Sequence, residues 1–349
     1  MEKKKRDPEM VRQKIIDSIY LNEGRINAKD IAASCGVSTA AIYGRLDRME
    51  KAGIIAAQTE GRSKVYSFVD TMVIDREYRL EALDEDTVLR RDISPILQGV
   101  SQTVRSVFTY VFTEMLNNAI DHSEGDAAAI HAYRNASVVG CFITDNGVGI
   151  FTKIQKAMGL EEKRFAILEL AKGKFTTDPS SHTGEGVFFS SKVADRFYIF
   201  SDDLAFVGDN CRGEAEPMIM DRLSEISHGT RVCFEVSLNR TLTFADIANR
   251  YSEAPEDYGF SKTIVPVKLL EYREANPMFV SRSQAKRLLA RFDRFKNIVL
   301  DFADIDEIGQ GFADEVFRVF AAAHPDSSIT YINASPLVER MIKHVVNRT

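Results

Sequence analysis

SVFTYVFTEMLNNAIDHS (106–123) and VVGCFITDNGVGI (138–150) decide the reading of the middle of the chain. In the first stretch Val107, Phe108, Val111, Met115 and Ile120, preceded by Val104, recur at helical spacing. Glu114 and Asn118 stand four apart and so share one face of that helix. Asn117 and Asp121 flank the face, and His122 follows one turn after Asn118. Such a set on an otherwise apolar helix reads as the lining of something polar, although E-x-x-x-N alone reads equally as a solvated face. The second stretch predicts an apolar strand ending in Asp145, with Gly147 and Gly149 behind it. A carboxylate at the end of a buried strand can accept from an exocyclic amine, and glycines let the backbone approach a flat ring. Taken alone, D-N-G is also an ordinary turn closing a strand.

Two further stretches belong with these. In SSHTGEGVFFSSKVAD (180–195), Gly184 and Gly186 precede an apolar helix, so unpaired backbone N–H groups and a helix N-terminus offer an anion site. HGTRVCFEV (228–236) predicts a strand opening with Gly229 and Thr230. Each signal is weak by itself, but E-x-x-x-N, D-x-G-x-G, G-x-G and G-T in this order resemble the four boxes of the GHKL superfamily of histidine-kinase, gyrase and chaperone ATPases. The resemblance covers roughly 100–240.

What the resemblance implies is a site for ATP and Mg²⁺. Asn118 is then the metal ligand, since one amide oxygen suffices for a hard ion that keeps its waters. Glu114 is the catalytic base that orients water or another nucleophile. Asp145 reads the adenine, with Thr230 as its partner, and Gly147 and Gly149 shape the adenine pocket. Thr183, Gly184 and Gly186 wrap the phosphates, with Asn117, Asp121 and His122 nearby. Residues 150–183 form a lid in which Lys174 is either a phosphate contact or a solvated lysine.

Outward from this centre, residues 1–70 predict a winged helix-turn-helix. Val11, Ile15, Ile16 and Ile19 mark a first helix, INAKDIAASCG a second, and a third follows Ser38 or Thr39, either of which can cap it. IIAAQTEGRSKVYSF reads as two strands turning at Gly61. The unit resembles winged transcription regulators, which implies DNA contacts from Ser38, Thr39, Tyr43, Arg45 and Arg48 on the recognition helix, and from Arg62 and Lys64 on the wing. The modest basic excess also suits a winged helix used for protein contacts, and Tyr43 suits a core position equally well.

Residues 71–100 read as a charged helical connector, because REYRLEALDEDTVLRR holds no Gly or Pro. The ATP-binding unit is expected over 101–255, with helices on a mixed sheet, and a smaller unit over 256–349. In the last unit strand and helix alternate, and NIVLDFADIDEIGQGFADEVFRVF resembles a STAS domain. Phosphorylatable STAS antagonists carry a serine in the loop before the helix, where this chain has Gly309, Gln310 and Gly311. Ser327, Ser328 and Ser335 read as turn or cap residues. The fold class is therefore multidomain α+β.

The 349 residues, 44% hydrophobic and 28% charged, suffice for two or three domains with real cores. Over 1–69, 13 Lys and Arg against 9 Asp and Glu leave +4, so the remainder carries −10 of the net −6. Only the first domain therefore suits an anionic partner. The four cysteines lack a C-x-x-C pair and read as reduced and buried. No secretory signal and no membrane-spanning run is expected, which implies a cytoplasmic protein. The leading expectation is an ATP-responsive regulator of DNA or partner binding, with slow hydrolysis as its reset. A regulatory protein partner and a homodimer both fit. The alternative is a protein serine/threonine kinase of the anti-sigma type acting on a separate chain. A vestigial pocket fits less well, given Glu114, Asn118 and Asp145 together. A sensor histidine kinase needs an acceptor His before the ATPase, and 70–100 has no histidine.

Overall fold

The computed structural model describes residues 7–174, 184–212, 218–221, 228–252, 260–271 and 278–347. Its first unit is a winged helix-turn-helix. Asp7 caps α1 (Pro8–Leu21), and Asn27 caps α2 (Ala28–Cys35), which ends at the left-handed Gly36. Ser38 caps α3 (Thr39–Lys51) by accepting from Ala41 N. The wing pairs β1 (Ile55–Glu60) with β2 (Ser63–Phe68) antiparallel. Val11, Ile15, Ile42, Leu46 and Ile55 close a core of this unit's own, separate from the main one.

The central unit is a seven-stranded sheet in the order β3-β4-β5-β9-β6-β7-β8. Its strands are β3 (Met72–Arg79), β4 (Ala127–Arg134), β5 (Val138–Asp145), β6 (Arg196–Ser201), β7 (Leu204–Asp209), β8 (Met218–Asp221) and β9 (Arg231–Ser237). A mixed sheet was the expectation; every pairing in it is antiparallel. The helical connector also needs correction. Residues 72–79 form the edge strand, and only the following stretch is helical, in α4 (Glu85–Val88), a π-turn at Leu89–Ile93 and a 3₁₀ turn at Ser94–Leu97. Val73, Ile74 and Tyr78 favour a strand, and an eight-residue ladder with β4 fixes it, from Met72 opposite Arg134 to Arg79 opposite Ala127. Ile74 and Tyr78 lean onto the core, while Asp75, Arg76, Glu77 and Arg79 guard the open edge.

Side chains alternate between the two faces of the sheet. Ile130, Ala132, Cys141 and Ile143 join α5 (Gln102–His122) in the main core, whereas Tyr133 and Phe142 meet the winged helix on the opposite face. On the α5 side lie α6 (Ile150–Met158), α7 (Phe165–Lys172), α8 (Gly186–Val193) and α9 (Phe244–Tyr251). Cys35, Cys141 and Cys233 are buried, Cys211 is half-buried, and all four are free thiols.

The C-terminal unit is a three-stranded parallel sheet of β10 (Lys262–Pro266), β11 (Asn297–Asp301) and β12 (Ser328–Ile332). Around it pack α10 (Arg282–Leu289), α11 (Gln310–Asp314), α12 (Ala321–Ala323) and α13 (Pro336–Val346). Ser335 caps α13 and Ser327 Oγ donates to Phe295 O, as turn and cap residues should, while Ser328 opens β12. The apolar core runs from the central unit into this one without a break. Every residue of α7 is buried, Glu169 and Lys172 included. Lys172 Nζ lies 2.6 Å from Glu169 Oε1 and donates to Ala290 O at 3.0 Å, and Arg291 Nη1 donates to Glu169 Oε2 at 2.7 Å. Burial pulls the Lys172 pKa down, and Glu169 opposes that shift.

Candidate functional site

Between α5 and α8, at the Asp145 end of β5, lies a cavity of about 310 Å³. Ser101 caps α5 and sets its register, so Glu114, Asn118 and His122 face the cavity one turn apart. Asn118 Nδ2 lies 4.0 Å from the Met115 sulfur, leaving the amide oxygen as the group it offers to a hard cation. Among the described residues no cluster of three or more His, Cys, Asp or Glu side chains can hold a metal. A cation here would therefore have to arrive with oxygens of its own.

Asp145 closes β5 with its carboxylate held by the backbone: Oδ1 accepts from Gly147 N at 2.9 Å and from Thr230 N at 3.2 Å. Thr230 Oγ1 in turn accepts from Ile150 N at 3.0 Å, tying the start of α6 to β9. Burial raises the Asp145 pKa, and the two N–H donors hold part of that rise back. Ile143, Ile154, Ile199 and Val232 supply apolar wall around this single carboxylate. A flat heterocycle carrying an amine suits such a mixture.

The other end of the cavity is formed by Gly184, Gly186 and Val187 at the start of α8, a helix that begins without a side-chain cap. The N–H groups of such a first turn are of the kind that bind anions. A Cβ on Gly186 would sit 2.0 Å from Glu114 Oε2, which puts the Glu114 carboxylate directly against that turn.

Of the residues singled out from sequence, Glu114, Asn118, His122, Asp145, Gly149, Gly184, Gly186 and Thr230 line this one cavity. Gly147 lies just behind it, where a Cβ would fall 2.0 Å from Ser123 O. Asn117 and Asp121 are not among the lining residues, because they sit a quarter turn off the inward face of α5. Lys174 is not among the lining residues: its Nζ donates to Arg294 O at 3.1 Å and lies 5.1 Å from the centre of the Phe295 ring. Thr183 falls outside the described residues.

Lys153 is a lining residue that sequence reasoning missed. Its Nζ donates to His122 O at 2.7 Å and pairs with Glu124 at 3.1 Å, so it fastens α6 to the end of α5. A lone lysine on a short amphipathic helix carries no signal of such a role.

Gly147 gives a direct structural test. The obstacle to a Cβ is backbone, which cannot swing aside, so Gly147→Ala must push the end of β5 from the end of α5. The expected result is a loss of about 1–3 kcal/mol of stability in thermal or denaturant unfolding. An unchanged unfolding curve would contradict this packing.

On the winged helix, Tyr43 stands 58% exposed on α3. Arg45 and Arg48 join Arg12 around one hollow, while Tyr43, Arg62 and Lys64 surround another between helix and wing. Lys64 lies 3.8 Å from Glu50, and Arg45 donates to Pro8 O at 3.2 Å. Thr39 is half-buried at the start of the helix, and the Ser38 hydroxyl is spent on its cap. The expected DNA-contacting side chains thus share the surface of α3 and the wing, with Ser38 engaged locally.

Among the described residues no helix is long and apolar enough to cross a membrane. Comparison with curated proteins returns no match. Two family models do match parts of the chain: residues 284–339 fit a STAS-like domain of unknown function, and residues 11–56 fit the winged helix-turn-helix DNA-binding domain. The chain thus carries a winged helix-turn-helix and a STAS-like domain, with a helix-on-sheet unit between them that holds the cavity.

Proposed function

We propose that the cavity is a Mg-ATP site of the GHKL type and that its occupancy regulates DNA binding by the winged helix. One observation carries this reading. Four short motifs scattered from Glu114 to Thr230 converge on one cavity, with a backbone-held carboxylate at one end and an uncapped helix N-terminus at the other. The residues fit the group. Asp145 accepts from an exocyclic amine and so disfavours guanine, whose carbonyl would face it. Gly184 and Gly186 with the first turn of α8 receive phosphate, and Asn118 gives one oxygen to the metal. Mg-ATP supplies a phosphoanhydride bond whose charge the metal partly neutralises.

Glu114 is the proton acceptor for an attacking water, placed against the phosphate-binding turn. Glu114→Ala is expected to keep nucleotide affinity and lose turnover by about 10²–10⁴-fold, read in steady-state ATPase assays against calorimetric binding. Equal losses in both would remove the base role.

Phosphotransfer to the chain's own STAS-like domain is disfavoured by more than a missing hydroxyl. A Cβ on Gly309 would lie 2.8 Å from Val280 Cα, so position 309 has no room for a serine. The regulatory reading is tested by binding to genomic DNA fragments with and without Mg-ATP. A tenfold change in affinity needs only about 1.4 kcal/mol of coupling. DNA binding indifferent to a nucleotide that demonstrably binds would contradict regulation.

A further inference from the structure

The winged helix and the C-terminal unit are attached to the central sheet in different ways. The C-terminal unit shares one continuous core with it. The winged helix keeps its own core and meets the sheet through a small cluster in which Tyr20, Tyr133 and Val138 are the buried members. At that seam Arg196 of β6 donates to Tyr20 O in the last turn of α1 at 2.8 Å. Its guanidinium lies 4.2 Å from the centre of the Tyr20 ring, and Nη1 is 3.5 Å from Glu235 Oε2. Tyr133 Oη donates to Glu235 Oε1 at 2.6 Å. The Tyr133 ring lies down over Gly140, where any Cβ would fall 2.3 Å from the ring. The arrangement is specific, yet Arg196 Nε is buried without a hydrogen bond, and Glu235 Oε2 meets Arg196 only as an ion pair. Each such group lowers the net strength of the seam, because water would satisfy it on separation.

Arg196 also stands three residues beyond the end of α8, whose first turn borders the cavity. Between them Asp195 is fixed by Arg240 at 2.9 Å and by Ser237 N at 2.8 Å. Arg196, which caps α1, is thus joined to the cavity-bordering helix by the two residues Ala194 and Asp195.

We propose that Arg196 is a releasable latch holding the winged helix to the sheet, and that α8 makes its strength depend on what fills the cavity. The second half rests on the nucleotide reading above; the latch itself does not. By linkage, a ligand that prefers one position of α8 must shift the docking equilibrium.

Cys211 packs in the seam cluster and reports on it. The test is the rate of alkylation at Cys211, followed by peptide mass spectrometry on the full chain, with Cys35 in the winged-helix core as the folding control. Arg196→Met is expected to raise the Cys211 rate at least tenfold without nucleotide, with Cys35 unchanged. Tyr133→Phe, which removes only a hydroxyl, should raise it less. The non-hydrolysable Mg-AMPPNP should shift the wild-type rate at least threefold and leave the Arg196→Met rate unmoved. Wild-type rates in both variants would overturn the latch. A wild-type rate indifferent to AMPPNP, while calorimetry registers its binding, would overturn the coupling. Absence of binding would instead fail the nucleotide reading and the coupling with it, leaving the latch to be judged on the variants.

Discussion

Replacing Glu169 with alanine is expected to cost about 3–5 kcal/mol, the largest effect on stability of any single change considered. Lys172 is 0% exposed and would be left with the Arg287 and Ala290 carbonyls and the Phe292 ring to face, beside the charge of Arg291 and without the carboxylate that favours its protonated form. Arg291 would lose its 2.7 Å partner in the same step, loosening its grip on Gly173 O. The loss follows from the charge left behind rather than from any large net worth of the pair. A double replacement, Glu169→Met with Lys172→Met, should therefore recover part of it, the remainder being the lost partner of Arg291. Urea or thermal unfolding of the three variants checks both statements. A Glu169→Ala variant as stable as wild type would show that α7 is not held as described. The result matters for function because Leu170 of the same helix borders the cavity.

Asp145→Asn is expected to weaken nucleotide binding by about 1–3 kcal/mol, roughly 5- to 150-fold. The shape stays the same while an acceptor oxygen becomes a donor facing the amine it should receive. The pH dependence has a definite sign. Burial raises the Asp145 pKa above its ordinary 3.8, and the ionised form is the acceptor. Affinity should therefore fall as the solution is acidified through that raised pKa, and Asp145→Asn should lack this part of the dependence. For folding the sign reverses: a carboxyl whose folded pKa is raised contributes less stability as pH rises through it. Unchanged affinity in Asp145→Asn, or a pH profile identical in both proteins, would remove amine recognition by this residue.

The sequence is most legible where chemistry and local spacing coincide. Glu114 and Asn118 reach the cavity because helical periodicity already puts them on one face, and Asp145 because an apolar strand ends on it. The winged helix reads easily for the same reason, since caps at Asn27 and Ser38 and a turn at Gly61 are local signals. Strand β3 does not. Its charged residues mask the strand-favouring Val73, Ile74 and Tyr78, and the distant partner β4 settles them as a strand. The all-antiparallel sheet is equally hidden, because β5 finds β9 across the whole cavity-forming region, with Val138 opposite Ser237. Asn117, Asp121 and Lys174 lie outside the lining of the cavity, and a polar type near the right place says nothing of which way it turns. Arg196 and Tyr20 carry no local signal of their contact. Gly140 is the one trace of the docking seam, a glycine inside a strand where another ring must lie close.

The account stands on a nucleotide entering the cavity between α5 and α8. Calorimetric titration of the protein with ATP, with and without Mg²⁺, addresses this most directly. Saturable binding of one nucleotide per chain, tighter with magnesium and weaker for GTP, is the predicted result. Well-folded protein that releases no heat at millimolar nucleotide, with or without the metal, would contradict it.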